Sequence, residues 1–172
     1  MAETKSNLIT NSTAAPAVLN DVGLSGGRIR IAQDNFEVAA ADFDADGDII
    51  RLCSLPVNAR VISIEIAADD MDGGTDSVVD VGIGTDAGLA AGASADKHDF
   101  FATDSTLFRA ALAMTDFRYE AANLTTCGDK LWEHVGDSEN PGGTYEIIMR
   151  QDATVSSPSA ATLAFRIMYV ID

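Results

Sequence analysis

Four acids fall within seven residues at 42–48, DFDADGD, and Asp42, Asp44, Asp46 and Gly47 stand at the spacing that opens an EF-hand calcium loop. That loop also requires a bidentate Glu at its twelfth position and a helix on either side. Counting from Asp42, the twelfth residue is Cys53, and the flanks FEVAA and IIRLCSL alternate as strands do. Asp46-Gly47 between two apolar runs is instead a hairpin signal: Gly accepts the positive φ of a tight turn, and Asp caps it through its own backbone. The first expectation is therefore a structural turn. The alternative is a calcium site in a β-loop, with Asp42, Asp44 and Asp46 as carboxylate ligands completed from elsewhere in the chain.

Other chemistry-bearing residues form no set. The two histidines, His98 in DKHDF and His134 in WEHVG, lack the fixed spacing of a metal pair, and His98 beside Asp99 reads as a surface pair on a loop. Cys53 and Cys127 are far apart with no C-x-x-C, so both are expected to be small buried apolar residues and not a disulfide or metal framework. AGASAD at 91–96 lacks the second glycine and the strand-to-helix setting of a nucleophile elbow. GIGTDAG at 82–88 has neither a following helix nor a lysine to cradle phosphate. With 27 acids, a carboxylate pair at glycosidase separation arises by chance and carries no signal. The single Trp132, beside Leu131, reads as core or interface sooner than a sugar platform. No catalytic constellation emerges, and the expectation is a protein that is not an enzyme and needs no cofactor.

The elements that would position these residues are strands. From residue 28 onward short alternating runs are separated by Gly, Asp, Asn and Pro, and no segment sustains a helical period over ten residues. Strands are expected at 28–32, 36–43, 48–55, 59–69, 77–84, 107–112, 116–120, 144–151 and 162–172. Their inward sets include Ile62, Ile64 and Ile66; Val79, Val81 and Ile83; and Leu163, Phe165, Ile167, Tyr169 and Ile171. Strands without intervening helices bury their apolar faces sheet on sheet, which predicts an all-β antiparallel sandwich of jelly-roll type over residues 28–172. Two long connections, 85–106 with its Phe100-Phe101 pair tucked onto the sandwich and the turn-rich 135–143, would lie at its ends.

Residues 1–27 are rich in Ser, Thr, Asn, Ala and Gly without any period, and read as an extended N-terminal arm outside the core. The chain carries 11 basic and 27 acidic residues, a net charge of −16, which disfavours nucleic acid as a partner because its binding needs clustered Lys and Arg. The start, MAETKSNLIT, has no apolar signal region, and nowhere do 18 apolar residues run together. Neither secretion nor a membrane span is expected, and synthesis in the cytosol is.

The order of these signals resembles that of tailed-phage virion structural proteins. The resemblance is carried by GLSGGRIRIAQDNFEVAAADFDADGDIIRLCSLPVNARVISIEIAADDMDGGTDSVVDVGIG and continues through DKHDFFATDSTLFRA and LWEHVGDSENPGGTYEIIMRQDATVSSPSAATLAFRIMYV, so that it spans the chain from about residue 23. It implies a capsid decoration, or cement, protein: a small jelly-roll, as a rule a homotrimer, on the capsid exterior of the virion, contacting the major capsid protein and made in the host cytoplasm. The extra acids at 42–46 and the cysteines depart from the commoner pattern. In that setting the arm would order on the shell. Ordering costs about 1–2 kcal/mol per residue, so apolar residues must be buried in return, and Leu8, Ile9, Val18 and Leu19 are the candidates for capsid contact. Alternatives are a tail or head-fibre component, a carbohydrate-binding jelly-roll module, which an aromatic content of 6% disfavours, and an acid-based hydrolase.

Overall fold

A computed structural model describes residues 4–16, 18–19, 27–84 and 97–171. Eight strands run through it: β1 (Ile29–Val38), β2 (Ile49–Pro56), β3 (Ala59–Ala68), β4 (Val79–Gly84), β5 (Lys97–Ser105), β6 (Leu112–Asp116), β7 (Thr144–Gln151) and β8 (Ala161–Ile171). They form two four-stranded sheets, ordered β1-β8-β3-β6 and β2-β7-β4-β5, with every pairing antiparallel. The expected all-β antiparallel architecture is present.

The alternation sends Val61, Ile64, Ile66, Leu163 and Ile167 from the first sheet, and Leu52, Val81, Ile83, Ile147 and Met149 from the second, into one buried apolar cluster that Phe101, Phe108 and Phe117 complete. Burying a side chain of this size is worth about 1.5–3 kcal/mol, so this shared core is what holds the two layers together. Chain crossings between the sheets range from two residues to the long segment 117–143 between β6 and β7. Only Val57 and Asn58 separate β2 from β3, although those strands lie in different sheets.

Several expectations need correction. The segments 28–32 and 36–43 are one strand, β1, followed by a 3-10 turn at Ala40–Asp42, because β8 pairs with β1 without a break from Ile29↔Val170 to Val38↔Ala161. The connection 85–106 contains β5, and of the remainder residues 85–96 lie outside the described residues. Leu107–Arg109 is a 3-10 turn, and the strand that follows is Leu112–Asp116, so 107–112 and 116–120 are not strands. Ile62 is exposed: the register of β3 against β8 shifts between Val61 and Ser63, and this bulge adds one residue that turns the side chain outward. Val61 takes its inward place, while Arg60 and Ser63 are buried. The remaining inward sets hold, with Tyr169 and Ile171 packed at the margin of the core.

Among the described residues two short α-helices add to the sheets. In the N-terminal segment α1 (Asn7–Thr13) starts at Ser6, whose Oγ accepts from the Ile9 N–H at 3.4 Å. This segment is therefore helical over seven residues, where an extended arm was expected. The second, α2 (Leu131–Val135), ends at Gly136, which takes the left-handed φ of +96° that terminates helices. It buries Leu131 and His134 and leaves Trp132 half-buried.

Candidate functional site

The acidic run is a turn at a corner of the sandwich. Gly47 adopts φ +93° as expected, and the Asp48 carboxylate accepts from the N–H groups of Asp44 (3.1 Å) and Ala45 (2.8 Å). It is not a hairpin, because β1 belongs to one sheet and β2 to the other. The Gly47 N–H and the Gln151 N–H exchange hydrogen bonds with the Gln151 and Asp48 carbonyls, both at 2.8 Å, which stitches the corner to the end of β7. Asp42 is exposed at the end of its 3-10 turn, and Asp46 lies 3.5 Å from Arg150.

Among the described residues the set whose ligand atoms converge is a different one: Asp80, His98 and Asp152, all within 4.8 Å of one another. Strand pairing builds it. Asp80 on β4 stands directly opposite Arg150 on β7, and β5 brings His98 alongside. His98 is thus a strand residue 3.6 Å from Asp80, not a loop residue paired with Asp99. β5 comes this close because residue 82 is glycine: a Cβ there would lie 2.0 Å from the Lys97 carbonyl oxygen. The backbone of Asp104, in the left-handed region at φ +52°, aims its N–H at Asp80 at 2.8 Å.

Burial pushes the Asp80 carboxyl above its ordinary range, and Asp152 and Asp104 repel its charge further, against the Asp104 N–H and His98, which stabilise it. A metal could draw on these three ligands, but Arg150 already supplies the positive charge. Its Nη1 lies 3.0 Å from His98 Nε2 and donates to Asp152 at 2.7 Å, and its other arm faces Asp46. The cluster therefore works as a polar tie across β4, β5, β7 and the acidic corner, in which Arg150 pairs with Asp152 and Asp46.

A second polar cluster is buried. Arg118 is fully enclosed: its Nε donates to the Val61 carbonyl at 3.0 Å, and its guanidinium lies over the rings of Phe101 and Tyr119 at 5.0 and 4.6 Å. Its Nη2 sits 3.4 Å from His134 Nε2, and the imidazole lies against Phe100 with ring centroids 4.4 Å apart. Burial, helped by the neighbouring guanidinium, depresses His134 to about 4, so a neutral ring accepts from Arg118 at neutral pH. Phe100 and Phe101 do tuck their segment onto the sandwich, as part of β5.

Cys53 is half-buried, and burial followed by the Glu146 charge pushes its thiol up to about 12, which makes it inert. Cys127 is exposed, contrary to expectation, and both thiols are free. The four arm residues, Leu8, Ile9, Val18 and Leu19, are all exposed, Leu19 at 94%. None of the described helices is long and apolar enough to cross a membrane.

No protein family model matches this sequence, and no curated protein does. Two solved structures share its fold. One is a chain of the cyanophage Pam1 capsid asymmetric unit, 14% identical at a TM-score of 0.53, with the likeness covering 93% of this chain and 97% of that one. The other is a chain of the capsid of Ralstonia phage GP4, 20% identical at 0.56, covering 83% and 85%. At such identities the likeness is one of fold.

Proposed function

We propose that the protein is a structural component of a phage virion, a decoration or cement protein of jelly-roll type bound to the exterior of the head. The observation that carries this reading is the sandwich topology, β1-β8-β3-β6 against β2-β7-β4-β5, together with its likeness to chains of two phage capsids over most of both lengths. In the strand order, consecutive strands swap sheets except at β4 and β5, which supports a jelly-roll. The two polar clusters are occupied by their own arginines, which supports a role in adhesion and not in turnover or cofactor binding.

In this role the protein binds the major capsid protein and copies of itself, as a homotrimer. The N-terminal segment supplies Leu8, Ile9, Val18 and Leu19 as the apolar groups that become buried on the shell. Many weak copies on a symmetric surface add by avidity, so no single contact need be strong. The test is to mix the pure protein with heads stripped of accessory proteins and pellet them. The full chain is expected to pellet with heads. A chain lacking residues 2–20 is expected to keep its sandwich, read by circular dichroism, and to stay in the supernatant. Failure of the full chain to pellet discards the head reading, while retention by the shortened chain discards the role of the arm.

A further inference from the structure

The first sheet has unlike edges. At one, Arg28 just before β1 and Ile29, Arg30 and Ile31, which open it, are all exposed, the isoleucines at 58% and 56%. No carboxylate among the described residues pairs with Arg28 or Arg30, in a chain where acids outnumber bases by 27 to 11. A strand edge of this kind offers unpaired backbone groups, two apolar side chains on one face and two cations on the other.

At the opposite edge, β6 borders a depression of about 410 Å³ lined by Leu107, Thr115, Asp116, Tyr119 and Glu120. Leu107 and Tyr119 are exposed large hydrophobics, and so is Met114 on β6. Asp116 is held in place by accepting from the N–H groups of Ile64 (3.0 Å) and Arg118 (2.9 Å). Partial burial raises the Glu120 carboxyl above its ordinary range, against the Ser105 hydroxyl, which favours its charge, and no cation among the described residues forms an ion pair with it. The opening of β1 is thus apolar and basic, with the exposed Asp34 and Glu37 lying in its far half, and the β6 edge is apolar and acidic.

We propose that the occupant of each edge is a second copy of this chain, with Arg28 and Arg30 beside β1 of one copy meeting Asp116 and Glu120 beside β6 of the next. Because the two edges differ, the contact is head-to-tail and must close into a ring to stay finite. Charge of opposite sign sets the register, and Ile29, Ile31, Leu107 and Met114 supply the apolar area. The ring deepens the capsid reading above, on which it rests for the expectation that copies meet on a shell.

The experiment is sedimentation velocity on the full chain, on Arg30→Glu, on Glu120→Arg and on the double variant carrying both. The wild type is expected to sediment as an oligomer. Each single reversal should weaken association by about tenfold or more, the scale of replacing one attraction by one repulsion, and the double variant should recover most of it. Circular dichroism checks each fold, and Arg30→Gln with Glu120→Gln replaces any reversal that does not fold, with both then expected to weaken association. A monomeric wild type, unchanged single variants, or a double variant as dissociated as the singles overturns the proposal. Pelleting the same samples with heads separates the two readings. A wild-type ring that ignores heads overturns the capsid role alone, and a wild-type monomer that pellets overturns the ring alone.

Discussion

His134 couples acid to stability. Its ring is held near 4 in the fold, by burial and by Arg118, against about 6.5 in an unfolded chain. The unfolded state therefore takes up a proton that the folded state refuses. Stability from this residue is fully present above pH 6.5, falls as pH drops from 6.5 to 4, and changes no further below. At 1.36 kcal/mol per unit the loss is about 3 kcal/mol. Urea unfolding at pH 7 and pH 5 is expected to show about 2 kcal/mol of this fall in the wild type and a much smaller one in His134→Gln, whose carbonyl can still accept from Arg118. Equal falls in the two proteins would place the acid sensitivity elsewhere. None of this was legible from WEHVG, because the partners Phe100, Phe101 and Arg118 arrive from other segments. The same holds for His98, whose neighbours Asp80 and Arg150 are supplied by β4 and β7.

Elements were readable where local pattern and tertiary demand agree. β7 is bounded by Gly142-Gly143 and Asp152 and alternates between, so its limits at 144–151 follow from the sequence. Asp34-Asn35 looks like a turn, yet ten consecutive pairings with β8 carry the strand through it. β5 is too polar to announce itself, since KHDFFATDS owes its strand to pairing with β4, irregular as that pairing is, and to the space above Gly82. That glycine yields a direct prediction. A methyl at residue 82 meets backbone, which cannot rotate away as a flexible side chain would, so Gly82→Ala should cost about 1–3 kcal/mol, the range for overpacked interiors. Denaturant midpoints measure it. Gly47→Ala supplies the contrast: nothing lies within 4 Å of the added methyl, and its cost comes from the left-handed φ alone. A Gly82→Ala protein as stable as the wild type would mean that β5 is free to shift.

At the scale of the molecule, charge opposes compactness. Eleven cations against 27 acids leave −16 on 172 residues, and the ion pairs that do form, such as Arg51–Glu146, Arg166–Glu65 and Arg150–Asp152, include partners exposed enough to be worth little each. Repulsion among the remaining acids is spread over the surface and falls when salt shortens the Debye length from roughly 30 Å at 0.01 M to about 8 Å at 0.15 M. Two effects therefore compete as salt is added: weakened surface pairs lower stability, and relieved repulsion raises it. The excess of acids decides in favour of relief, so Tm at neutral pH should rise with sodium chloride in dilute, dissociated protein. Near the isoelectric point of about 4.2 the net charge vanishes, and the rise should vanish with it. Self-association through the Arg30 and Glu120 edges responds in the opposite direction, because there salt screens an attraction. A Tm that falls with salt at neutral pH in the dissociated protein would show that its ion pairs, the Arg150 tie among them, outweigh the repulsion of its acids.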